Sequence, residues 1–166
     1  MKGTALNFQK LIEEHKGILL KVARTYCQNE EDRVDLIQEM SIQIWRSLDK
    51  YKEHCKISTW MYRVALNVAI SFYRKNAKRN ENTGPLNEEL FQITEPDNKE
   101  KEGQLVLLEC FIQELNDLDK ALMLLYLEDK SYFEISEILG ISPSNVGTKI
   151  SRIKGKLKIS FSLLKL

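Results

Sequence analysis

The chain is 166 residues long, 43% hydrophobic and 30% charged, with a formal net charge of +1. That length allows one domain or two small ones, and the apolar share supports packed cores, which excludes a wholly disordered or fibrous chain. No apolar run approaches the roughly 20 residues of a membrane span, and MKGTALNFQ lacks the apolar core of a signal peptide.

Cys27, Cys55 and Cys110 are odd in number and far apart, so the expectation is a cytoplasmic protein with reduced thiols. His54 beside Cys55 is the one His/Cys neighbour pair, too few ligands for a tetrahedral zinc site, and His15 falls on a separate predicted helix. The chain has no Walker-type loop, dinucleotide glycine fingerprint, G-x-S-x-G elbow or H-E-x-x-H. The expectation is a protein that is not an enzyme, with no metal and no cofactor.

In chain order, Phe8, Leu11, Ile12, Leu19, Val22 and Tyr26 repeat at helical spacing and mark a first helix. Asn29, followed by Glu30, Glu31 and Asp32, is a polar break with acids suited to a helix start. In the second helix, Leu36, Ile37, Met40, Ile44 and Leu48 form the predicted buried stripe, while Asp35, Gln38, Glu39, Ser41 and Arg46 stay outside. From the residues alone, that outer patch is an ordinary solvated face.

The third segment, STWMYRVALNVAISFYRKNAK from Ser58 to Lys78, carries two stripes. Met61, Val64, Val68 and Phe72 are apolar, and Arg63, Asn67, Ser71, Arg74 and Lys78 are polar at steps of four, four, three and four. Trp60 and Tyr62 lie at one end, with the cations Arg74, Lys75, Lys78 and Arg79 at the other. Aromatic faces interleaved with cations suit single-stranded DNA, although core anchoring accounts equally well for Trp60 and Tyr62, and at least one of them is expected to be core.

The stretch from Asn80 to Gly103 contains two prolines, two glycines and seven acids without a sustained period, and reads as an acidic linker. A helix is expected from about Gln104 to Glu114, and a strongly apolar one over Leu118–Leu127 that must bury against a C-terminal helix-turn-helix. Ile135, Ile138 and Leu139 supply the apolar stripe of that motif's first helix, ended by Gly140. Ser142 and Pro143 then open a final helix as cap and first residue. Its apolar positions Val146, Ile150, Ile153 and Leu157 force Ser144, Asn145, Thr148, Lys149, Ser151 and Arg152 outward. From Gly140 to Lys158 there are five Lys or Arg and no acid, a surface suited to base edges and phosphates in a major groove.

Cut into three, the chain is far from neutral. Residues 1–80 hold 15 basic and 9 acidic groups (+6), residues 81–129 hold 3 and 13 (−10), and residues 130–166 hold 7 and 2 (+5). Two cationic ends suggest two nucleic-acid contacts, separated by a stretch that repels nucleic acid. The expected fold is all-α, with an N-terminal helical bundle (1–80), an acidic linker (81–103) and a C-terminal helix-turn-helix domain (104–166).

DLIQEMSIQIWRSLDKY followed by ISTWMYRVALNVAISFYRK, and later LNDLDKALMLLYLEDKSYFEISEILGISPSNVGTKISRIKGKLK, resemble in that order the two domains of an extracytoplasmic-function sigma factor of the sigma-70 family. The resemblance implies that Asp35, Gln38 and Glu39 dock onto core RNA polymerase, which overturns the solvated-face reading. It implies that Trp60, Arg63, Asn67, Ser71, Arg74, Lys75 and Lys78 capture the melted non-template strand of the minus-ten element. Ser144, Asn145, Thr148, Lys149 and Arg152 then read the duplex minus-thirty-five element. The implied partners are core RNA polymerase, promoter DNA and an anti-sigma factor of the kind common in the family, which no residue here identifies.

Two departures from the family pattern stand out: Gly147 where a basic residue is frequent, and Asn116 with Asp117 in place of the usual Leu-Pro opening of the C-terminal domain. Gly147 costs about 1 kcal/mol relative to alanine, with close approach to DNA or a changed promoter preference as expected compensations. The rival readings are a helix-turn-helix regulator that binds DNA without polymerase, and an all-helical interaction module with incidental basic faces.

Overall fold

A computed structural model of the chain describes residues 2–80 and 99–164, and over these it consists of seven α-helices, one short 3-10 turn and no strand. The helices are α1 (Lys2–Tyr26), α2 (Glu30–Ser47), α3 (Ile57–Asn80), α4 (Lys99–Glu114), α5 (Asp117–Leu127), α6 (Tyr132–Leu139) and α7 (Pro143–Leu164). Most of the expected acidic linker, residues 81–98, lies outside the described residues. α4 starts at Lys99, earlier than the Gln104 expected from sequence.

Local chemistry sets the helix ends. The Asn29 side chain accepts from the Asp32 amide at 2.7 Å, and Glu30, Glu31 and Asp32 complement the positive end of α2. Ser131 and Glu134 form a reciprocal capping box at the start of α6, which holds the Glu134 carboxyl below the usual carboxylate range. Gly140 ends α6 at φ 70°, a conformation that strains any residue with a Cβ, and the Ser142 hydroxyl accepts from the Asn145 amide at 3.1 Å to start α7.

In the N-terminal half, Leu19 and Val22 of α1 pack with Leu36, Met40 and Ile44 of α2 and with Met61 and Leu66 of α3, all buried. Ala65 and Ala69 are also fully buried, so α3 can approach its neighbours closely. The apolar stripe expected on α3 is displaced. Met61 is core, but Val64, Val68 and Phe72 are only half-buried and flank a cleft, while Trp60, Tyr62, Ala65, Leu66 and Ala69 fill the interior. A helix held by α1, α2 and the C-terminal half buries a wider arc than one stripe describes.

In the C-terminal half, Leu122 and Leu125 of α5, Ile135 and Ile138 of α6, and Val146, Ile150 and Ile153 of α7 form the core. α5 is not buried against the helix-turn-helix alone, as its sequence suggested, because it also packs on α1 and α3. The Tyr26 hydroxyl donates to the Asp117 carbonyl at 2.6 Å, and burial first, then the Asp117 charge, raises its pKa.

Lys120 sits at this junction, 1% exposed, with its ammonium 4.4 Å from the Tyr73 ring centroid and 3.4 Å from the Gln113 side-chain oxygen. Burial depresses its pKa from 10.5, against the opposing pull of Asp117. Between the lowered folded value and 10.5 the unfolded chain binds the proton more readily, so this group's contribution to stability rises with pH across that window. Lys120→Met is therefore expected to stabilise the chain at neutral pH by about 1 kcal/mol, since a desolvated charge gives way to an apolar group of similar length. Urea titrations of both proteins over a pH series should show that difference shrinking as pH approaches the ordinary lysine value.

Candidate nucleic-acid interface

The polar residues of α3 part into two sets. Asn67, Ser71 and Lys75, with Trp60, line one wall of a cleft of about 530 Å³, and Glu39, Gln43 and Ser47 of α2 line the other. Arg63 and Arg74 fall within about 20° of each other around the helix, at the margin of the cleft-lining arc next to Asn67. They face the C-terminal half. An Arg63 Nη donates to the Glu137 carbonyl at 2.6 Å, and Arg74 Nε donates to the Asp117 carboxylate at 2.6 Å. Lys78 is exposed near the end of α3. Thus the seven residues expected to meet the unpaired strand share one arc of about 120° on α3, and the Arg63 and Arg74 margin of that arc is engaged by the C-terminal half.

The aromatic residues do not offer open faces. Tyr62 is 3% exposed, lies under the Lys130 ammonium at 5.6 Å, and has its hydroxyl pKa pushed up to about 12 by burial and the Glu128 charge. Trp60 is 9% exposed and packs on Tyr51 with ring centroids 5.3 Å apart, presenting only its rim to the cleft. Neither position offers a free ring on which a base could stack. What the cleft provides is hydrogen-bonding side chains, the Trp60 rim and the Lys75 and Lys50 cations at its border.

On α2, Asp35, Gln38 and Glu39 are all exposed, and Glu39 also lines the cleft. Sequence reasoning missed their apolar neighbours. Val34, Ile42 and Trp45 are 45%, 50% and 44% exposed, and at 100° per residue they share with Gln38 an arc of about 80°. The Trp45 ring is held edge-on by Phe8, with centroids 5.0 Å apart. The spacing of 34, 38, 42 and 45 is visible in the sequence, but a reading of the outer face for charge alone passes over it. An exposed apolar stripe edged by polar groups is the composition of a protein-binding surface.

On α7, Ser144, Asn145, Thr148 and Arg152 are exposed and Lys149 is half-buried, so the five residues expected to read duplex DNA do lie on one face. The Thr148 hydroxyl donates to the Ser144 carbonyl at 3.1 Å, which leaves its lone pairs as acceptors. Lys154 does not join this face. Its ammonium lies 4.3 Å from the Tyr126 ring centroid, and a hydrogen bond to Tyr126 raises its pKa.

Gly147 has a packing explanation that sequence could not supply. A Cβ added there would meet the Tyr132 ring at 3.3 Å, so the glycine lets the first residue of α6 lie against α7. Gly147→Ala is expected to leave stability nearly unchanged in the native background, where helix propensity and crowding oppose each other. In a Tyr132→Ala background the same substitution should stabilise by about 1 kcal/mol. A double-mutant cycle by thermal denaturation measures this coupling. The other departure is also structural: Asn116 caps α5 by accepting from the Asp119 amide at 2.9 Å, while Asp117 receives Arg74.

Among the described residues, no group of three or more His, Cys, Asp or Glu side chains could hold a metal ion, and no helix is long and apolar enough to cross a membrane.

Two family profiles match the chain, sigma-70 region 2 over residues 11–79 and sigma-70 region 4 over residues 105–157. The chain is 33% identical over 132 residues to the RNA polymerase sigma factor YlaC of Bacillus subtilis, an alignment covering 77% of this chain and 76% of that protein. It is 30% identical over 129 residues to the extracytoplasmic-function sigma factor SigM of the same organism, covering 77% and 78%. Among solved structures, CnrH in complex with the cytosolic domain of CnrY superposes with a TM-score of 0.68 at 20% identity, covering 94% of this chain and 88% of that one. The sigma factor RpoE in complex with the anti-sigma factor NepR from Bartonella quintana gives 0.69 at 18% identity, covering 96% and 98%.

Proposed function

The chain belongs to the extracytoplasmic-function group of sigma-70 RNA polymerase sigma factors, and we propose how its surfaces divide the work of directing core polymerase to promoters. The outer face of α2, with Asp35, Gln38 and Glu39 set beside Val34, Ile42 and Trp45, docks onto core polymerase. The cleft between α2 and α3 takes the unpaired non-template strand through Asn67, Ser71 and Lys75, with the rim of Trp60 beside them. Arg63, Arg74 and Lys78 hold its phosphates. The exposed face of α7 reads the duplex element through Ser144, Asn145, Thr148, Lys149 and Arg152.

The observation that carries this reading is the shared use of α2: Glu39 belongs both to the docking face and to the cleft wall. Seating α2 on a rigid partner therefore also fixes one side of the strand-binding site, which lowers the entropy lost when a strand enters. No bond is made or broken by these residues. Contacts to captured bases and phosphates offset the few kcal/mol needed to unstack a promoter base. The solved relatives complexed with CnrY and with the anti-sigma factor NepR support a further part of the reading, that an anti-sigma factor binds this chain.

In vitro transcription with purified core polymerase on genomic fragments, followed by mapping of start sites, tests the proposal. Initiation that depends on the added protein supports it. Failure to initiate on every template discards it.

A further inference from the structure

Among the described residues three ion pairs join the two halves, and in each the cation belongs to the N-terminal half and the acid to the C-terminal half: Lys21 with Glu128, Lys56 with Glu134, and Arg74 with Asp117. Arg63 follows the same polarity, donating to the Glu137 carbonyl at 2.6 Å, near the negative end of α6. In each ion pair the carboxylate is the more buried partner, with side chains 27%, 29% and 20% exposed against 47%, 80% and 68% for the cations. The acids are thus set into the C-terminal half, and the cations reach across to them.

We propose that this acidic face stands in for the phosphates of a DNA strand, so that in the chain alone the C-terminal half occupies the Arg63 and Arg74 edge of α3 and weakens its hold on single-stranded DNA. The inference rests on the assignment of α3 as the strand-binding helix. Its key acid is Asp117, the carboxylate that receives Arg74 at 2.6 Å.

Electrostatics favour the competition. A tethered acid is present at high effective concentration, so it displaces a weakly held strand without being a strong ligand itself. The closed arrangement is also easy to open. Exposed ion pairs are individually weak, and the junction encloses the desolvated ammonium of Lys120, which opening rehydrates. Two cations run the other way, Lys130 over Tyr62 and Lys120 over Tyr73, but both rest on aromatic rings and neither neutralises an acid across the junction. The cleft stays uncovered. The free chain therefore keeps the hydrogen-bonding half of its strand site while the phosphate-binding half is engaged.

Two measurements on the full chain test this. A zero-length carbodiimide, which joins an ammonium to a carboxylate only where they touch, should couple Lys21 to Glu128 in the free protein, as read by mass spectrometry of tryptic peptides. Absence of that product overturns the closed arrangement. The second is fluorescence anisotropy with a labelled single-stranded DNA of mixed sequence, comparing the parent with D117N/E128Q/E134Q. These isosteric changes keep the α6 capping box, since glutamine serves there as glutamate does. If the strand site is open in about one molecule in ten, the variant should bind about tenfold tighter at the same salt. Unchanged affinity overturns the competition. Transcription with core polymerase separates the two readings: equal initiation by both proteins with unchanged strand affinity refutes this inference alone, whereas initiation by neither refutes the assignment beneath it.

Discussion

Replacing Gln38 and Glu39 together by alanine should lower affinity for core polymerase by roughly 2–4 kcal/mol, on the order of 30- to 1,000-fold in Kd. Both side chains are exposed and neither is used by the core, so far-ultraviolet circular dichroism and thermal stability should hardly change. The effect is large because both polar groups border an exposed apolar stripe of Val34, Ile42 and Trp45. When a partner covers that stripe, hydrogen bonds at its margin are sheltered from water, and a deleted group leaves its counterpart unpaired. Co-purification with tagged core polymerase, or a competition assay against the parent protein, measures the loss. Undiminished association of the double variant would remove α2 from the docking role. Because Glu39 also lines the cleft proposed to take the strand, the single change Gln38→Ala separates the effects: docking should weaken while single-stranded DNA binding by the free chain stays the same.

The helices were legible in the sequence because their signals are local. Asn29, Gly140, Ser142 and Pro143 act within a few residues of themselves, and each takes the part its chemistry suggested. The outward face of α7 was legible for the same reason: Val146, Ile150 and Ile153 are buried, which leaves the opposite side outward. What could not be read depends on residues distant in the chain. The full burial of Lys120 needs Tyr73, Arg63 and Arg74 are engaged because Glu137 and Asp117 approach from the other half, and Gly147 is explained by Tyr132. Trp60 and Tyr62 were ambiguous in principle, since an aromatic beside cations suits a core or a nucleic acid equally. The packing of α3 against three sides decides for burial in both. Charge partition did carry long-range information. The acidic middle includes Asp117 and Glu128, two of the carboxylates that meet N-terminal cations, so the excess negative charge there is not confined to a linker.

Arg152→Ala should weaken binding of the polymerase holoenzyme to duplex promoter by about 1–3 kcal/mol while leaving association with core polymerase intact. Arg152 is exposed on α7 beyond the buried Ile150 and Ile153, and among the described residues it makes no ion pair with an acid, so its removal breaks no ion pair there. Two modes of loss are distinguishable. If the guanidinium grips phosphate, affinity falls alike for promoter and unrelated duplex, and the slope of log K against log salt declines by about one unit. If it reads a guanine edge, the loss concentrates on the cognate sequence and changing that one base pair in the parent complex reproduces it. Arg152→Lys sharpens the distinction. Lysine keeps the charge but not the planar fork, so it should restore a phosphate contact and fail to restore a bidentate base contact. Unaltered promoter affinity in all three proteins would place the duplex-reading surface elsewhere on the C-terminal half. The mechanism would then have to explain why a helix carrying five cations between Gly140 and Lys158, with no acid among them, faces water.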